Sequence, residues 1–474
     1  MTALKRNDPC HCGSGKKYKF CCRKKDQEAE RQVQKERRTA RGGGLTPTAP
    51  LPAPVKPAEP PPPPDPRMEA FNALWDEFQA ADYEGKIALF YDTLANKPDL
   101  MDREMVFEFF LDIYPQTVER NERDRFEALA EALREQLPDV YVAEAGNILS
   151  YRITNALTDG RYDDIPAMAE AMAANAETHI DDFFNLLDQL AYHNQLTTLI
   201  SATGLAWPQV KDSTKVFGSE ELAQQAVDYL VFDYISRTAA PDGQDLALLA
   251  QIEPYMDLNL ELFSTYIATI SGQQPKAWTL DDFQFEPARQ NQWDWDDEED
   301  NDGDTPDEGR QNLAQLSWEF LHYLSQQEQV PYVKGELARS ELYQYIVRRF
   351  EGDLDQDDEP LFGIFSQSKR KKRRSLKPRR QRHLLCPDRS TLDRHLAGLM
   401  GFINPQYYKA VTLLEVMPAW LRFLESRQLI SSEQREQTLA DLRGLDTELS
   451  KIVESNPDPA LLQAMANWRD NAEQ

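Results

Sequence analysis

The stretch FFNLLDQL, residues 183–190, places Phe183, Leu186, Leu187 and Leu190 at i, i+3, i+4 and i+7. That spacing draws one apolar stripe along a helix and does not fit the two-residue alternation of a half-buried strand. The same spacing recurs at Phe71, Leu74, Trp75 and Phe78, and at Ile87, Phe90, Tyr91 and Leu94. Between such stripes lie Asn96-Lys97-Pro98-Asp99, Leu137-Pro138-Asp139 and Thr158-Asp159-Gly160. These breakers set helices of about 12–18 residues between short turns. Few stretches read as strands, so the fold class is mainly α. Residues 68–290 read as an α-helical repeat-like domain, a solenoid or an irregular bundle, although no clean internal repeat is visible.

Outward from this domain the composition changes. Residues 294–308, DWDDEEDNDGDTPDE, hold ten acids in fifteen positions and predict an acidic disordered loop over 291–311. Helical spacing returns at Leu313, Leu316, Phe320 and Leu321 and runs through Leu342, Tyr345 and Ile346, a segment placed at 312–352. Residues 353–383 read as disordered around a basic run, with the LFGIF patch at 361–365 as a segment that could dock on the body. A C-terminal helical segment then covers 384–474. In it Leu413, Met417, Trp420, Leu421 and Leu424 mark a helix that Pro418 should kink or restart. Ser431 to Gln434 fits a capping box opening one last long helix, with Leu442, Leu445, Leu449 and Ile452 inward.

Toward the N-terminus, residues 26–67 form a polar helix-forming stretch and a Gly/Pro-rich linker, with eleven prolines between positions 47 and 66. Proline-dense chain favours polyproline II, so this segment predicts a spacer reaching about 60 Å at about 3.1 Å per residue. The chain of 474 residues has a formal charge of −27, which favours solubility and argues against blanket nucleic-acid binding. Charge is strongly segregated, however: residues 1–41 carry thirteen Lys/Arg against five Asp/Glu, and residues 369–382 carry ten basic residues and no acid. The opening MTALKRNDPC lacks the apolar run of a secretory signal, and no stretch reaches about 18 consecutive apolar residues. A cytoplasmic protein without a membrane span is therefore expected.

Four of the five cysteines fall in CHCGSGKKYKFCC, residues 10–22. In a reducing compartment such a cluster points to metal rather than to disulfides. Cys10, Cys12, Cys21 and Cys22 supply four thiolates, the donor set of a closed, structural zinc site, and Gly13-Ser14-Gly15 permits the chain to reverse between the two pairs. His11 offers a nitrogen, but four thiols already fill a tetrahedral sphere. An iron–sulfur cluster is the competing use of four cysteines, against which stands the absence of C-x2-C spacing. A phosphate loop is excluded, because Cys10 and Lys17 stand where that motif needs Gly and Ser or Thr.

With Arg6-Asn7-Asp8-Pro9 before it, this stretch closely resembles the SEC-C motif, the small zinc module at the tail of the preprotein translocase motor SecA and in many stand-alone bacterial proteins. The resemblance assigns the four ligands to Cys10, Cys12, Cys21 and Cys22, and extends to Ser14-Gly15 and Tyr18-Lys19. It implies Zn2+ as the cofactor, a module spanning residues 1–25, and docking, since the translocase's module contacts an export chaperone and the ribosome.

Lys16, Lys17, Lys19, Arg23, Lys24 and Lys25, with Tyr18 interleaved, exceed what is needed to offset the charge of the thiolates and form a candidate partner-binding surface. Lys371, Lys372, Arg373 and Arg374 in the basic run are a second candidate, attracting RNA or acidic partners without sequence readout. Catalytic motifs are absent. His179, His193, His322, His383 and His395 are scattered and expected on helix surfaces, and Cys386 is expected to be structural. The resulting expectation is a non-enzymatic adaptor that docks on a protein or ribosome, in protein quality control or export. An RNA-binding protein driven by residues 369–382 is the first alternative. An enzyme on the helical body is the second, and its sign would be buried carboxylates or a His–acid pair converging in a pocket.

Overall fold

The structure, a computed structural model, describes residues 66–284, 308–354 and 383–473, apart from Phe217, Gln274, residues 402–403 and Ser455. From residue 66 onward the chain forms one compact unit. Its regular elements are helices, with no strand among the described residues.

The first hydrophobic core gathers α1 (Pro66–Ala80), α2 (Tyr83–Asn96), α3 (Arg103–Glu119), α4 (Arg123–Gln136) and α5 (Pro138–Ala143), and reaches the start of α6 (Ala145–Thr158). Asp82 and Asp102 start α2 and α3 by accepting from the backbone N–H groups of Gly85 and Met105 at 2.9 and 3.1 Å, each satisfying a donor that the first helical turn leaves orphaned. Phe78, Phe90, Phe109, Phe110 and Phe126 are fully buried and mutually packed, with ring centroids of Phe78 and Phe109 4.4 Å apart.

A second core joins α6 to α7 (Ile165–Ala173), α8 (Ile180–Tyr192), α9 (Leu196–Val210), α10 (Ser219–Arg237), α11 (Leu246–Ile252) and α12 (Leu260–Ile270). The stripe of Phe183, Leu186, Leu187 and Leu190 lies at its centre. The third core is built by α13 (Glu308–Gln327), α14 (Tyr332–Glu351), α15 (Arg389–Leu399), α16 (Tyr407–Glu415), α17 (Met417–Ser426), α18 (Ser432–Leu442), α19 (Leu445–Val453) and α20 (Pro459–Glu473). Many neighbours in sequence pack on one another, but α8 also packs on α14 and α16, more than 130 residues downstream. Such crossings make this half of the unit a bundle rather than a one-dimensional stack.

Local signals act as expected at several points. Each breaker tetrad or triad coincides with a helix end, and Pro418 restarts the chain as the first turn of α17 after Val416. The Ser431–Gln434 capping box is formed in both directions. Two expectations are corrected. The single long last helix is two helices, because Gly444 adopts φ +95°, a left-handed conformation that only glycine takes without strain, and Ile452 is 47% exposed instead of inward. On α2, Tyr91 is exposed and the buried face is turned toward Tyr83, Leu89, Phe90, Thr93 and Leu94.

Trp420 anchors the third core: it is fully buried and its indole N–H donates to the Leu385 carbonyl at 3.0 Å. Trp420→Ala removes the largest packed side chain at this point and strands a buried carbonyl, and should lower the unfolding free energy by about 3–5 kcal/mol in urea. Ile452→Ala, on the surface, should change it by less than about 0.5 kcal/mol.

Candidate functional site

The site residues expected from sequence, Cys10, Cys12, Lys16, Lys17, Tyr18, Lys19, Cys21, Cys22, Arg23, Lys24 and Lys25, lie outside the described residues, as do Lys371, Lys372, Arg373 and Arg374 and the LFGIF patch. The described body presents a different site, a cavity of about 470 Å³ lined by α8, α10, α12, α13, α14 and α16. Its size is that of a small-molecule pocket.

One face comes from α14, where Glu336, Arg339, Ser340, Glu341 and Gln344 follow helical spacing. Opposite it, α10 contributes Glu221, Gln224, Gln225, Asp228 and Tyr229, α8 contributes Asp188, and α16 contributes Lys409. Trp318 and Tyr266 supply aromatic wall.

Two charged centres result. In the first, the Lys409 ammonium stands 3.7 Å from Asp188 and 3.8 Å from Glu341, an ion-pair distance rather than a hydrogen bond. His395 Nε2 approaches Glu341 at 3.4 Å without forming a hydrogen bond. Burial pushes the Asp188 carboxyl up to about 7, against the pull of Lys409 and with Glu341 and Glu221 adding to the rise. Burial draws the Lys409 ammonium down, but Asp188 and Glu341 outweigh it and leave its pKa raised. In the second centre, Arg339 pairs with Glu336, its Nε 2.6 Å from the carboxylate, and donates to the Ser317 hydroxyl at 3.0 Å. Asp228 accepts from the Tyr266 hydroxyl at 3.0 Å and from Gln224 at 3.1 Å. Burial, reinforced by Glu336, pushes Asp228 to about 7 despite Arg339 and these hydrogen bonds.

Sequence reading missed all of these residues. Asp228 sits inside the apolar run 226–232, AVDYLVF, and Asp188 inside LLDQL, and an acid flanked this way is the one signal that could have singled them out.

The histidines are also displaced from expectation. His179 and His395 are buried, not on helix surfaces. His193 Nε2 lies 2.6 Å from Asp458, which also accepts from the Tyr408 hydroxyl at 3.0 Å, tying the end of α8 to the start of α20. Cys386 is buried in the third core, and its carbonyl accepts from Arg349. Burial raises the pKa of its thiol, which suits the structural role expected.

Comparison with protein families finds a SEC-C motif at residues 6–24, the stretch that holds all four clustered cysteines. No curated protein and no solved structure matches the chain. Four thiols within thirteen positions are a donor set of the kind a closed metal site uses. Among the described residues no group of three or more His, Cys, Asp or Glu is arranged to hold a metal, and no helix is long and apolar enough to cross a membrane.

The raised carboxyls define a pH dependence with a definite sign. A carboxyl near 7 in the folded chain and near 4 in the unfolded chain makes the folded state bind more protons between those values. The associated stability is complete below about pH 4 and is lost as pH rises through about 7, at up to about 1.4 kcal/mol per pH unit for each group. Asp228→Asn is expected to remove about one proton from that slope in urea titrations run between pH 5 and 8.

Proposed function

We propose that this chain is a non-enzymatic cytoplasmic adaptor whose SEC-C motif binds zinc through Cys10, Cys12, Cys21 and Cys22 and docks on a protein partner or the ribosome. The observation that carries this reading is the family match over residues 6–24, because it falls on the one segment with a complete set of metal ligands. A bound zinc ion would hold a segment too short to fold on its own apolar residues.

The lysines and arginines at 16–25 give that segment an electropositive character suited to RNA phosphates or protein carboxylates. The proline-rich spacer at 47–66 keeps the motif near whatever the body holds, which raises its effective concentration. In the cavity of the body, Asp188 and Glu341 face Lys409, and Glu336 faces Arg339. Buried carboxylates converging in a pocket are the sign expected of an enzyme on the helical body, and Asp188, Asp228 and Glu341 present it, so an enzyme remains the second reading.

The test is co-sedimentation of the full chain with ribosomes at low and high salt, beside metal analysis. Wild type should carry one zinc per chain and enter the ribosomal fraction at low salt. Cys21→Ser/Cys22→Ser should lose both while keeping its helical circular dichroism. Zinc-replete wild type that stays out of the ribosomal fraction at both salts overturns the ribosome reading.

A further inference from the structure

We propose that the cavity between α8, α10 and α14 is a binding site for an aliphatic diamine or polyamine. This assignment is independent of the zinc module and of ribosome docking.

Charge comes first. Each of the two centres has one base for two acids: Lys409 for Asp188 and Glu341, and Arg339 for Glu336 and Asp228. With every acid ionised each centre is one positive charge short, and Glu221, which lines the same space, brings the shortfall to three. A dication with separated charges answers both centres, whereas a single metal ion needs ligands gathered at one point, and no such group exists among the described residues.

Hydrogen-bonding capacity points the same way. Tyr229 is 95% buried, lines the cavity and makes no side-chain hydrogen bond among the described residues, and its hydroxyl is influenced by Asp188, Asp228, Glu336 and Glu221, all of which line the same space. Its hydroxyl is thus an unpartnered polar group aimed among the acids. Asp188 is 93% buried and is held by Lys409 at 3.7 Å. The Asp188 carboxylate is an acceptor, and the hydroxyl serves either way. Ammonium groups are donors only and so complement them. Between the charged ends, Trp318, Tyr266 and Leu337 offer apolar and aromatic surface to a methylene chain.

The experiment is isothermal titration calorimetry on the full chain at physiological salt, with 1,4-diaminobutane and spermidine as probes and 1-aminobutane and Mg2+ as controls. The expected result is one site per chain for the diamine and triamine, at least about tenfold weaker binding of 1-aminobutane, and no competition by Mg2+. Asp188→Asn and Asp228→Asn should each weaken diamine binding about tenfold or more. Tyr229→Phe, which deletes only the unpartnered hydroxyl, should weaken it about threefold and keeps the test decisive if an aspartate variant does not fold. The acidic stretch outside the cavity is controlled by Asp296→Asn/Asp297→Asn, which should leave binding unchanged. Absence of diamine binding to wild type, equal affinity in folded Asp228→Asn and Tyr229→Phe, or loss of binding in the Asp296→Asn/Asp297→Asn variant overturns the proposal.

Discussion

From Leu186 to Tyr192 seven consecutive residues of α8 are buried, so this helix has no face left for solvent along its second half. Its apolar stripe belongs to the second core, while Tyr192 belongs to the third. The rest of the body is arranged around that constraint. An amphipathic helix ordinarily turns its acids to water. When two cores claim one helix, an acid between them is carried inside, and Asp188 is that acid. An isolated buried carboxylate is too costly to stay charged without compensation, and Lys409 from α16 and the raised pKa of Asp188 are the two responses visible.

The same logic extends across the cavity. On α10, Val227, Tyr229, Val231 and Phe232 are buried and Asp228 is buried among them, and it lines the cavity together with Glu336 and Arg339 of α14. The cavity forms where α8, α10 and α14 bring buried acids together beside polar residues, Glu221 and Gln224 among them, that reach the surface. It is also under-compensated, and charge deficiency in a cleft is a property that selects ligands by sign. The body and the N-terminal motif therefore offer two unrelated chemistries: a thiol-rich, basic segment matched as a SEC-C motif, and an acid-rich interior space.

Much of the body was legible in the sequence because its signals are local. The stripe at 183–190 is fully buried, the breakers at 96–99, 137–139 and 158–160 end helices, and the Ser431 box caps one. Each depends on residues within a turn or two of one another. The break at Gly444 was legible in principle, but the leucines at 442, 445 and 449 keep helical spacing across it and mask it. The cavity was not legible, since Asp188, Asp228, Glu341 and Lys409 are brought together from helices as far apart as α8 and α16, and nothing local reports that pairing. Buried histidines escaped for a similar reason: His395 is covered by α14, not by its own helix neighbours.

Two aspartates, Asp188 and Asp228, are held inside the body short of positive charge. Carboxyl carbon NMR of the full chain labelled at aspartate side chains, titrated from pH 4 to 9, measures this without reference to stability or ligand. Two aspartate resonances should titrate with midpoints near 7 and be assigned, by loss in the Asp188→Asn and Asp228→Asn proteins, to those positions. If every aspartate instead titrates in the ordinary range below about 5, the interior is already neutralised and the account of the cavity is wrong.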